Sequence, residues 1–69
     1  MVYVFEFFAV SGVERRSIDW MTQRARSVDG AKDRAKSMLR NVKIRDQRPD
    51  LCLVKDQLGN TLSEVSAHS

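Results

Sequence analysis

The chain reads as a small α+β domain of order strand, strand, helix, strand, strand. A small, mainly antiparallel sheet carries one amphipathic helix packed on one face. Three observations lead there. Ser27 to Val42 places Val28, Ala31, Ala35, Met38, Leu39 and Val42 at three- and four-residue steps, the period of a helix with one apolar side. Val2–Val10 and Leu51–Lys55 are apolar runs of strand length. Each is followed by a glycine-bearing turn and a second extended stretch, the pattern of a hairpin. With 69 residues the chain makes one domain, taken as residues 1–65, with Ser66–Ser69 as a frayed tail.

In the first strand, Val2–Val10, Tyr3, Phe5, Phe7 and Ala9 alternate with Val2, Val4, Glu6, Phe8 and Val10. Both sides are largely apolar, so the strand wants cover on both. Glu6 is the exception, expected at an edge or paired with a basic neighbour. Ser11–Arg16 reads as a turn, with Gly12 free to take positive φ and Arg15 and Arg16 as loop charges. Ser17–Arg26 is the second strand, with Ile18, Trp20, Thr22 and Arg24 on one side. Ser27 caps the helix, Asp29 complements its dipole, Gly30 weakens its first turn and Asn41 marks its stop. Lys43–Asp50 is a polar connection in which Pro49 forbids helix continuation. Leu51–Lys55 is the third strand, with Cys52 as a small buried hydrophobe. Asp56–Asn60 is a hairpin turn, and Thr61–Val65 is short and polar enough for a sheet edge.

A domain this small buries about 60% of its unfolded surface and often needs a further source of stability. Cys52 is the single cysteine, so no disulfide forms within the chain. Zinc would have only Cys52 and the penultimate His68 as good ligands. Self-association is left as the leading source. A lone free cysteine suits a reducing compartment. Met1–Val10 is too short to span a bilayer and carries Glu6. The expectation is a cytoplasmic protein with no membrane partner.

The net charge is +3, unevenly spread. Arg15 to Arg48 holds eleven basic residues against four acidic ones, and the remainder holds Lys55 against five acids. Lys32, Lys36, Arg40 and Lys43 fall within roughly 80° of one another on the helix. Arg45 and Arg48 follow in the connection, with Arg24, Arg26 and Arg34 nearby in sequence. Six of these, Lys32, Lys36, Arg40, Lys43, Arg45 and Arg48, are the candidate contacts to nucleic acid or an acidic protein. The stripe is interrupted by Asp29 and Asp33, and it lacks the stacking aromatics of single-strand binding modules.

No constellation points to catalysis. Gly12, Gly30 and Gly59 are too scattered for a phosphate loop. No internal histidine partners Cys52 or a serine. No metal or cofactor is expected, and the chain is read as non-catalytic.

Two segments have a familiar form. Ala25-Arg26-Ser27-Val28-Asp29-Gly30-Ala31, followed by Ala35, resembles the strand-to-helix junction of many short bacterial ββαββ domains. Leu53-Val54-Lys55-Asp56, then Gly59-Asn60, Leu62 and Val65, is similar to their closing hairpin. The partly degraded double-stranded-RNA-binding-like fold of HicB-type antitoxins begins its helix in a similar way. The resemblance spans about half of the chain and implies no catalytic residue.

The main functional expectation is geometric. One helix covers one face of a small sheet. The other face then exposes apolar side chains, with Val4, Phe8 and Trp20 as candidate interface residues, and is expected to pack against a second copy. A nucleic-acid-binding domain using the basic helix face is the alternative. A carrier of an apolar small ligand on the open face is a third, weaker reading.

Overall fold

The computed structural model describes residues 1–67. The elements are β1 (Val2–Ser11), β2 (Glu14–Arg24), α1 (Val28–Asn41), β3 (Leu51–Lys55) and β4 (Thr61–Ser66). They form one four-stranded sheet of order β2-β1-β3-β4, with every neighbouring pair antiparallel. The order follows hydrophobicity. The two apolar strands, β1 and β3, lie in the middle, and the two polar strands are the edges.

The core lies between the sheet and α1. Tyr3, Phe5 and Phe7 of β1, Cys52 and Val54 of β3 and Val65 of β4 pack under Ala31, Ala35 and Leu39. Phe5 and Phe7 are 0% exposed. The two alanines bring the helix backbone close to the strands, and the phenylalanines fill the space beneath. Ser27 caps the helix as expected, its Oγ accepting from the Gly30 N–H at 3.1 Å. The helix ends at Asn41, the stop expected of it. Val42 is extended, and its N–H donates to the Met38 carbonyl at 2.9 Å.

Three local readings of the first hairpin are corrected. The second strand begins at Glu14, because the hairpin closes on only two residues, Gly12 and Val13. Gly12 takes φ +61 at the first turn position, which suits a type II′ turn. Arg15 and Arg16 therefore lie on a strand and not in a loop. Ile18 does not share a side with Trp20. A bulge opposite Phe7 and Phe8 breaks the two-residue alternation, and Ile18 packs against the core.

The connection after the helix is more ordered than its polarity suggests. Ile44 and Gln47 exchange two backbone hydrogen bonds of 2.8 and 3.0 Å around Arg45 and Asp46. Both central residues have positive φ, 51 and 63, the signature of a type I′ turn usually made with Asn-Gly. Burial of Ile44 against the core offsets the strain. Finally, β4 includes Ser66, and the Ala67 N–H donates to the Asp50 carbonyl at 2.9 Å. The proposed tail is thus ordered through Ala67, and His68 and Ser69 lie outside the described residues.

The closing hairpin forms as read. The Asp56 carboxylate accepts from the N–H groups of Leu58 and Asn60, each at 2.9 Å, and from the Asn60 side chain at 3.1 Å. The Asn60 backbone bond foremost holds this carboxyl below its ordinary range. Gly59 closes the turn at φ +90.

Candidate interaction surfaces

Register decides what the helix-free face carries. Val4, Glu6 and Phe8 of β1 stand opposite Thr22, Trp20 and Ser17 of β2. On the other side they stand opposite Lys55, Leu53 and Leu51 of β3. The three candidate interface residues therefore share one face. Trp20 is 62% exposed, whereas Val4 and Phe8 are half-buried.

This face is less apolar than the alternation suggested, because ion pairs cross it. Glu6 Oε1 accepts from Lys55 Nζ at 2.7 Å, and Oε2 accepts from Ser17 Oγ at 3.0 Å. The Lys55 bond is the main reason the Glu6 carboxyl lies below its ordinary range, against the opposing effect of burial. Glu6 thus takes the basic partner expected of it, from a central strand and not from an edge. A second pair, Arg15 Nη2 to Glu64 Oε1 at 2.8 Å, joins the two edge strands across both central ones. Arg15 and Glu64 line a cleft of about 320 Å³ with Leu51, which is only 4% exposed. The partners of both pairs are 49 residues apart in sequence, and no local pattern links them.

The six candidate cations do not form one surface. Lys32, Lys36 and Arg40 follow one another along the flank of α1 nearest β4. Lys36 and Arg40 line a groove of about 360 Å³ with Leu39, Ser66 and Ala67. Lys43 is exposed just beyond the helix. Arg45 lies toward the opposite edge of the sheet, with its Nε 3.3 Å from Asp19 Oδ2 on β2. The left-handed turn aims it there. Arg48 is exposed in the same connection. The helical stripe is thus separate from Arg45.

Asp19 also accepts the Trp20 N–H at 2.8 Å, and this bond foremost keeps its carboxyl below the ordinary range. On an edge strand it occupies a backbone donor that an added strand would need.

Cys52 lies on the covered face, and burial pushes its thiol up to about 12. A thiol so protonated at neutral pH is a packing residue and a poor nucleophile. Among the described residues, no group of three or more His, Cys, Asp or Glu is placed to hold a metal ion, and no helix is long and apolar enough to cross a membrane. No family model, curated protein or solved structure matches the chain.

Proposed function

We propose that this chain is a non-catalytic interaction module that pairs with a second copy of itself through the helix-free face of its sheet. The exposed Trp20 ring, on the face it shares with Val4, Phe8 and Leu53, carries the reading. Exposed tryptophans on a flat apolar surface are typical anchors of protein interfaces. Charge favours a like partner on this side. The face mixes Arg15 and Lys55 with Glu6 and Glu64, so two copies meet with both signs available. Pairing through the Lys32–Lys36–Arg40 flank would set cation against cation. Size is adequate. The molecule measures 32 × 23 × 22 Å, which limits a flat face to about 700 Å² per partner, near a standard interface.

Trp20 is the only tryptophan, so its emission reports this face. Light scattering and fluorescence over a concentration series test the reading together. The expected result is a doubling of mass that coincides with a blue shift of emission, both lost in Phe8→Ala, and a loss of the doubling of mass in Trp20→Ala, which has no tryptophan to emit. A monomer at several hundred micromolar with unshifted emission would overturn it.

A second reading has its own support. Arg15, Arg45 and Lys55 each have a carboxylate within 4 Å. Lys32, Lys36, Arg40 and Lys43 have none among the described residues. An unneutralised row on a helix flank suits the phosphate backbone of a nucleic acid. A mobility shift that weakens with salt and disappears in Lys36→Glu/Arg40→Glu is its test. Equal retention of the wild type and the variant removes it.

A further inference from the structure

A third surface belongs to neither reading. Where β2 ends and α1 begins, Arg24, Ala25, Arg26, Gly30 and Arg34 line a cleft of about 500 Å³ together with Met1. Three of these six residues are arginines, and none is a carboxylate. We infer that this cleft binds a phosphate group, either free inorganic phosphate or the phosphomonoester of a small molecule.

The arginines are available, and one is oriented. Arg24 and Arg26 have no carboxylate within ion-pair distance among the described residues, in contrast to Arg15 and Arg45. Arg34 Nη1 donates to Gln23 Oε1 at 3.0 Å. The Gln23 amide presents its oxygen to Arg34. Its Nε2 faces the sulfurs of Met21 and Met38 at 3.5 and 3.9 Å, leaving the oxygen for Arg34. One hydrogen bond of the guanidinium is thus used to hold the group, and its remaining donors stay open to a ligand. Guanidinium forks match phosphate oxygens with paired hydrogen bonds, which three lysines would not do.

Gly30 provides an independent indication. Glycine in a helix is less stable than alanine. Packing does not require it here, because a Cβ at Gly30 would meet only Ser27 Oγ, at 3.6 Å. Its effect is to leave the wall of the cleft bare between Arg26 and Arg34. The cleft lies near the end of the sheet opposite the Arg15–Glu64 pair, so the inference is independent of the self-association proposed above.

The test is a titration followed by amide and arginine side-chain resonances, at ionic strength held constant with sodium chloride. Inorganic phosphate, adenosine monophosphate and a short single-stranded oligonucleotide are the three arms. The expected result is saturable shifts at Arg24, Arg26, Gly30 and Arg34 with one or both of the first two. Phosphate alone identifies a free-anion site, and tighter binding of the monophosphate identifies a phosphomonoester. Arg26→Gln/Arg34→Gln should weaken binding by about tenfold or more. Gln23→Ala should weaken it less, and should add nothing once Arg34 is already glutamine. Unchanged affinity in the double variant, or linear shifts without saturation, would overturn the inference. So would shifts confined to the oligonucleotide arm, which would assign the arginines to a phosphodiester backbone.

Discussion

The two faces of the sheet are made by the same strands and solve opposite problems. Under the helix, Phe5, Phe7, Cys52 and Val54 are fully enclosed, and no polar or charged side chain is buried among them. On the other side, residues one step along the same strands alternate apolar groups with ions: Val4, Glu6 and Phe8 on β1, Leu51, Leu53 and Lys55 on β3. The covered face derives its stability from burial. The open face is held partly by Glu6–Lys55 and Arg15–Glu64, which neutralise each other and leave Trp20 as its large exposed ring. A thin sheet thus avoids one continuous greasy surface.

Truncation should separate the faces most widely. Phe5→Ala or Phe7→Ala removes a fully enclosed ring and should cost about 3–5 kcal/mol. That is comparable to the whole stability of a domain this small, so loss of the cooperative urea transition is expected. Phe8→Ala, on the half-buried side, should retain the transition and lose mainly self-association. Equal effects at Phe7 and Phe8 would mean that the two faces are equally buried in solution.

The single cysteine and the single tryptophan report one face each. Alkylation of Cys52 should be slower than in the urea-unfolded chain by about a hundredfold or more, because the thiol is exposed only on opening. Iodide should quench Trp20 readily in the dilute native protein. Rapid alkylation without unfolding would break the contrast.

Smaller effects sharpen it. Gly30→Ala should stabilise the fold by about 0.5–1 kcal/mol, measured as a rise in Tm of a few degrees. The new methyl group has room, so a fall in Tm would indicate a backbone conformation other than helical at that position. Glu6→Gln should cost about 1 kcal/mol or less, since its pair remains partly solvated. The native carboxyl titrates below its ordinary range. Its contribution is therefore full above the unfolded glutamate pKa and lost as pH falls through the carboxylate region. Glu6→Gln should flatten the fall of Tm between about pH 5 and pH 3. An unchanged profile would show that Asp19 and Asp56, the other two lowered carboxyls, carry the acid sensitivity.

Much of this architecture is written in short-range chemistry. The three- and four-residue recurrence from Val28 to Val42, the Ser27 cap and the Gly59 turn each depend on neighbours within a few residues, so the sequence shows them directly. The strand order is legible to the extent that β4 reads as an edge. Missed features have a common cause. Ile18 turns inward because an extra residue shifts the register, and Arg45 lies away from the helical stripe because two non-glycine residues adopt left-handed backbone. Neither event has a compositional signal. Ile44 was hidden for the same reason, as a lone apolar residue among charges.

The element order, the helix with its buried stripe and the two hairpins are all readable from the chain alone. Those follow from periodicity and turn chemistry, which act over a few residues. Folding in three dimensions is what brings Tyr3, Phe5 and Phe7 under the helix, Glu6 to Lys55, and Arg24, Arg26 and Arg34 to one cleft. These outcomes rest on register and on contacts between distant segments, and local propensity carries no information about either.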